Sequence, residues 1–131
     1  FMRLAIISSC MLALLPFGAA HAFDTISPEE ALKRAHDGQT VLVDVRTPEE
    51  WRETGVAPGA KSLDMANPSF AADLKTVIDA NPGKPLTFIC RSGRRSSVVA
   101  GQMEAAGMSH IANVEGGMNA WLGKGLPVEK R

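Results

Sequence analysis

Three short apolar runs constrain this chain most: Val41–Val45, Leu86–Ile89 and Ile111–Val114. Each is too short for a helix, and their content of Val, Ile, Leu and Phe marks buried strands. The segments between them begin with helix-start signals. Ser27-Pro28-Glu29-Glu30 is a capping box with proline at the first helical position, predicting a helix that ends near Gly38. Thr47-Pro48-Glu49-Glu50 repeats that grammar and predicts a short helix through Trp51. Asn67-Pro68 opens a third helix, in which Phe70, Leu74, Val77 and Ile78 share one face, and Asn81-Pro82-Gly83 stops it. Ser96 to Ala106 reads as a fourth, closed by Gly107, and Met118 to Leu122 as a last short one after the Gly116-Gly117 turn. Ser62 to Met65 is a candidate further strand after the turn-rich Gly55–Ala60. Strands alternating with helices predict an α/β fold: a small parallel β-sheet flanked by helices on both faces.

Residues 1–22 have a different character. Arg3 precedes an uncharged apolar run from Leu4 to Leu15, Pro16 and Gly18 interrupt it, and Ala20-His21-Ala22 offers small residues at both positions that a signal peptidase reads. This is the three-part form of a secretory signal peptide cut after Ala22. The competing reading, a retained anchor, has only the stretch Leu4–Ala20 to use, at the short limit for spanning a bilayer. A lipoprotein box at Ile7-Ser8-Ser9-Cys10 fails because the apolar run continues beyond Cys10. The expectation is an exported, periplasmic or secreted protein, with residues 23–131 as one domain and no membrane association once the leader is gone.

The whole chain carries 14 Lys+Arg, 14 Asp+Glu and two cysteines in 131 residues. A balanced charge excludes a dedicated nucleic-acid binder, which needs a basic face. Two cysteines are too few for a disulfide scaffold, and no Cys/His cluster has metal spacing, so neither metal nor cofactor is expected. Cys10 belongs to the leader, which leaves Cys90 as a lone thiol. Such a thiol is an inert buried side chain, an intermolecular link or a reactive group.

Its position weighs between these. Cys90-Arg91-Ser92-Gly93-Arg94-Arg95-Ser96 follows an apolar strand and precedes a helix. In an open α/β sheet, ligands sit at the carboxyl ends of strands. A short loop there turns backbone N–H groups inward, where they and the helix dipole bind an anion or stabilise a thiolate. Between Asp79 and Glu104 there is no acidic residue, while Lys84, Arg91, Arg94 and Arg95 are basic. A structural cysteine beside a solvated basic turn is the bland reading. A nucleophile in an anion-binding loop is the sharper one, and the placement favours it.

The loop CRSGRRS resembles the active-site loop of the rhodanese (sulfurtransferase) family. Three more segments follow the family's order: Asp44-Val45-Arg46-Thr47-Pro48-Glu49-Glu50-Trp51, Pro58-Gly59-Ala60 and Gly116-Gly117-Met118-Asn119-Ala120-Trp121. The family's GHIPGA reads Gly55-Val56-Ala57-Pro58-Gly59-Ala60 here, without its histidine and with about one extra residue after Trp51. Among relatives, the exported phage shock protein E type is nearest in layout.

The resemblance implies a single-domain thiosulfate sulfurtransferase. Cys90 would carry a sulfane sulfur as a persulfide, taken from a small anionic donor such as thiosulfate and passed to a thiol or cyanide. Arg91, Ser92, Gly93, Arg94, Arg95 and Ser96 would bind the substrate, with Arg91 and Arg94 holding the dianion and Arg95 bracing the loop. Asp44 and Arg46 would face the pocket or, in the plainer reading, form an ion pair that supports the next helix cap. Trp51 and Trp121 read as packing, and His36 and His110 as surface residues. Two alternatives remain: a non-catalytic rhodanese-like sulfur carrier or partner-binding module, and phosphatase or arsenate reductase chemistry on the same fold. The latter needs five residues between cysteine and arginine, where this chain has Arg95 one residue early. Thiol–disulfide exchange would call for a second cysteine in Cys-x-x-Cys spacing.

Overall fold

The computed structural model describes residues 23–131; the leader expected over residues 1–22 lies outside them. Ten elements follow one another: β1 (Asp24–Ile26), α1 (Pro28–His36), β2 (Val41–Asp44), α2 (Pro48–Thr54), β3 (Lys61–Ser62), α3 (Phe70–Ala80), β4 (Leu86–Ile89), α4 (Arg94–Ala105), β5 (Ile111–Val114) and α5 (Gly117–Gly123). All strand pairs are parallel, in the order β1-β5-β4-β2-β3. The expected α/β sheet with helices on both faces is what forms.

The side-chain alternation of the strands sorts the core into two layers. Leu42, Ile89, Ala112 and Val114 face Ala31 of α1 and Met118 and Trp121 of α5. Val41, Val43, Leu86, Phe88 and Ile111 face Leu74 of α3 and Val99 and Ala100 of α4. Cys90 continues the second set, so its side chain leaves the end of β4 on the α4 side. Every residue of β2, β4 and β5 is buried, as a parallel sheet covered on both faces requires.

Several boundaries differ from the sequence expectation. α1 and α2 both use their predicted caps: Ser27 Oγ accepts from Glu30 N at 3.1 Å and Thr47 Oγ1 from Glu50 N at 3.3 Å. α2, however, runs three residues past Trp51, to Thr54. α3 starts at Phe70 rather than at Pro68, because Asn67 Oδ1 accepts from both Ser69 N and Ser69 Oγ and holds a separate turn first. β3 is two residues long, Lys61–Ser62, instead of Ser62–Met65. β1 went unread: it is three residues long with two exposed, and it gains its strand character only by pairing with β5. Among the described residues, no helix is long and apolar enough to cross a membrane.

Candidate active site

The register of the sheet brings the carboxyl ends of β2, β4 and β5 level. Asp44 pairs with Ile89 and Phe88 with Asn113, which sets Cys90 between the two neighbouring strand ends. α4 begins at Arg94, two residues earlier than expected, so the connection from β4 is only Cys90–Gly93. Gly93 is the N-cap, in the left-handed conformation at φ 99°, and no side chain caps this helix. That conformation strongly favours glycine. The uncapped N–H groups of the first turn are thereby free to turn toward the sulfur.

Gly93 N donates to Cys90 Sγ at 3.1 Å, and the Ser96 hydroxyl lies 3.2 Å from it. Burial pushes the Cys90 thiol up, but donation from the Ser96 hydroxyl and the N–H groups of Ser96, Gly93 and Ser92 outweighs it. The thiol therefore sits below the ordinary cysteine value. The sulfur lies on the floor of the loop, and the residue has no exposed surface.

The surrounding loop is fixed from three sides. Met118 N and Asn119 N donate to the carbonyls of Cys90 and Arg91, at 2.8 and 2.9 Å, so α5 clamps the start of the loop. Gly117 makes this approach possible: a Cβ there would sit 2.7 Å from the Arg91 carbonyl oxygen and closer still to that of Cys90. Asn113, on β5, donates through Nδ2 to Gly93 O at 3.1 Å. Arg95 reaches across to α2, where its two terminal nitrogens each meet a Glu50 carboxylate oxygen at 2.7 Å. This pair holds the Glu50 carboxyl below its usual range, chiefly through the Arg95 hydrogen bonds against the opposing pull of burial.

The residues expected at the site thus occupy different places. Cys90, Gly93 and Ser96 converge on the sulfur. Arg91, Ser92 and Arg94 are exposed, and neither arginine forms an ion pair among the described residues. Arg91 also borders a groove of about 240 Å³ between α2 and α5, beside Glu53 and Asn119. Lys84 stands at the amino end of β4, the far end of the strand from Cys90, so it does not contribute to charge around the thiol. A four-residue strand is roughly 13 Å long, which is beyond direct contact.

Asp44 and Arg46 form a buried pair, 0% and 1% exposed, with Arg46 Nη2 2.8 Å from Asp44 Oδ2. Arg46 also donates to Thr54 Oγ1 and Gly55 O, tying the end of β2 to the end of α2. Trp51 Nε1 donates to Asp44 Oδ1, and the buried Trp121 Nε1 to Pro127 O. His36 and His110 are exposed, away from Cys90. Among the described residues, no group of His, Cys, Asp and Glu could hold a metal ion.

The family model for the rhodanese-like domain matches residues 27–124, nearly the whole described chain. The chain belongs to the rhodanese-like family. The chain is similar to an uncharacterized protein of Synechocystis sp., with 31% identity over 81% of this chain and 56% of that protein. It thus spans little more than half the length of that relative. Among solved structures, it is similar to a polysulfide-sulfur transferase homodimer from Wolinella succinogenes, with TM-score 0.65, 26% identity and coverage of 84% and 80% of the two chains. It is equally similar to a protein of unknown function from Rhodopseudomonas palustris described as a possible tyrosine phosphatase, with TM-score 0.65, 27% identity and coverage of 82% and 85%. The family therefore includes sulfurtransferases, and one structural neighbour is described as a possible tyrosine phosphatase.

Two contributors to the site were not in the sequence reading. Asn113 was passed over although it is a polar residue within an otherwise apolar buried strand, a pattern that signals a fixed hydrogen-bonding role. Glu50 was read as part of a helix cap and of the Asp44–Trp51 segment but not as a partner of the Cys90 loop, since Arg95 is 45 residues away.

Proposed function

We propose that this rhodanese-like domain is a sulfurtransferase that carries sulfane sulfur on Cys90. The Cys90 thiolate attacks the outer sulfur of thiosulfate or a similar anionic donor. A new S–S bond forms, the donor's S–S bond breaks, and its electron pair leaves with sulfite, so no external oxidant or reductant is needed. A thiol or cyanide then attacks the terminal sulfur of the Cys90 persulfide and regenerates the thiolate. This is covalent catalysis in two displacement steps. The similarity to a polysulfide-sulfur transferase supports sulfur as the transferred atom. The leader read in residues 1–22 supports a location outside the cytoplasm.

The observation that carries the proposal is the donor set on Sγ: Gly93 N–H and the Ser96 hydroxyl, with the thiol below its ordinary value. The same groups stabilise a persulfide anion and the charge that develops on attack. Arg91 and Arg94 remain unpaired above the loop and supply the charge for a dianion. Phosphatase chemistry is the less supported reading, because Arg95, the loop arginine nearest the required spacing, is held by Glu50.

Incubation of the full chain with thiosulfate should add the mass of one sulfur atom, and subsequent cyanide should release thiocyanate and restore the original mass. Both effects should vanish in Cys90→Ser. No adduct on Cys90, or hydrolysis of an aryl phosphate dependent on Cys90, overturns the proposal.

A further inference from the structure

Ser96 Oγ has a single proton and two acceptors within reach. Cys90 Sγ lies 3.2 Å away and Asn113 Oδ1 lies 2.5 Å away. The orientation of the Asn113 amide is fixed by its other end. Nδ2 faces Gly93 O at 3.1 Å, and a carbonyl only accepts, so the nitrogen belongs there and the oxygen faces Ser96. All three side chains are buried: Cys90 and Ser96 are 0% exposed and Asn113 is 6%. Water is therefore not at hand to satisfy whichever acceptor the hydroxyl leaves.

Two arrangements are open to this cluster. With Cys90 as a thiol, the S–H donates to Ser96 Oγ and the Ser96 hydroxyl donates to Asn113 Oδ1. With Cys90 as a thiolate, the hydroxyl turns to the sulfur, and Asn113 Oδ1 loses its donor. A buried acceptor without a donor costs free energy, so Asn113 stabilises the thiol arrangement over the thiolate one. We infer that Asn113 is a positioning residue that competes with Cys90 for the Ser96 proton and thereby sets how readily the nucleophile ionises. The inference rests on the reading of Cys90 as the sulfur-carrying nucleophile. In that role the competition also provides a return path: a Cys90 thiolate released after sulfur delivery takes the hydroxyl back from Asn113, and Asn113 reclaims it when the thiol re-forms.

The charged groups around the thiol are not altered by a change at position 113. Arg91, Arg94 and Arg95 come from its own loop and helix. Asp44 and Arg46, at the end of β2, are paired with each other, and Glu50 of α2 is paired with Arg95. On the β5–α5 side, Asn113, Gly116, Gly117 and Met118 are uncharged, and Glu115 is exposed.

Thiolate formation followed by ultraviolet absorbance and by alkylation rate against pH tests the inference. The full chain carries Cys10→Ser, so that Cys90 is the only thiol. Asn113→Leu removes the competing acceptor at similar volume, and Asn113→Ala removes it if the larger side chain does not fit. Either should move the titration midpoint to lower pH, with the thiolate fraction below the midpoint rising about three- to tenfold. In a Ser96→Ala background the midpoint should lie at higher pH, and the change at 113 should have no further effect. A purely structural role for Asn113, through its bond to Gly93 O, would loosen the loop and weaken the Gly93 N–H donation. The midpoint would then rise, in both backgrounds. A midpoint that rises or stays put on losing Asn113, or one that falls equally without Ser96, overturns the inference. The titration needs no sulfur donor, so failure of the wild type to take sulfur from thiosulfate removes the proposed function without deciding this result.

Discussion

Replacing Asp44 with alanine should cost the domain about 3–5 kcal/mol, the range for breaking a buried ion pair from one side. Arg46 is 1% exposed and Asp44 0%, so water cannot take the place of the lost carboxylate. Four donors lose their acceptor together: Arg46 N and Nε at 3.0 Å, Arg46 Nη2 at 2.8 Å and Trp51 Nε1 at 3.2 Å. The guanidinium stays charged, because arginine does not release its proton in proteins, and only Thr54 Oγ1 and backbone carbonyls remain around it. At an m-value of about 2 kcal/mol/M, the urea midpoint should fall by roughly 2 M. A domain of this size has about 5–15 kcal/mol of stability to lose, so the variant should remain folded in buffer wherever the wild type lies above the bottom of that range.

The double variant Asp44→Leu/Arg46→Met completes the experiment. With both charges gone, no uncompensated ion is buried, and the pair of substitutions should cost less than Asp44→Ala alone. Persulfide formation by folded Asp44→Ala, measured well below its denaturation midpoint, should match wild type, since no atom of Asp44 faces Sγ. Two results refute this reasoning. One is a single-variant cost below about 1 kcal/mol, the level of an exposed pair. The other is loss of persulfide formation with stability intact, which would place Asp44 in the substrate pocket.

Gly117→Ala should destabilise by about 3 kcal/mol, combining a left-handed non-glycine residue with overpacking against the Arg91 carbonyl, and should slow sulfur uptake by displacing the Cys90 loop. Gly59→Ala, at φ 75° with nothing within 4 Å of the added Cβ, is the matched control and should cost only the conformational part, about 1 kcal/mol by denaturant titration. Glu50 has its folded value below its unfolded one, so its contribution is fully present above the ordinary carboxylate range and is lost as pH falls through the lowered folded value. Glu50→Gln should therefore destabilise by about 1 kcal/mol at neutral pH, the part-exposed Arg95 limiting the effect, and the difference from wild type should close on acidification.

What was legible in the sequence were features with local causes. β4 and β5 were placed to the residue because four consecutive apolar-flanked positions and the turn residues around them determine both ends. α1 was placed by its Ser27 cap, which works within three residues. Cys90 was legible for the same reason: a strand end, a glycine and a helix start all lie within four positions of it. What escaped depends on contacts distant in sequence. β1 exists through β5, some 88 residues away, as in the pairing of Asp24 with Ala112. Asn113 reaches Ser96 and Gly93 across 17 and 20 residues, and its function follows from register, not from composition. The early start of α4 was missed because its cap is a glycine with no side-chain bond, and such a start carries no mark except the conformation itself.

The same distinction changes the meaning of the basic segment. Counted along the chain, Lys84, Arg91, Arg94 and Arg95 form one patch of like charge. Folded, Lys84 is at the opposite end of β4, and the charge of Arg95 is matched by Glu50. Two unpaired guanidiniums remain, Arg91 at the mouth of the α2–α5 groove and Arg94 on the first turn of α4. Under the proposed function, this pair of charges would match a dianion such as thiosulfate without excess. It also leaves the field at the sulfur to short-range donors, because exposed charges are screened while the buried Gly93 and Ser96 contacts are not. Affinity for the donor should then fall with salt through Arg91 and Arg94, whereas ionisation of Cys90 should respond mainly to the buried hydrogen bonds beneath it.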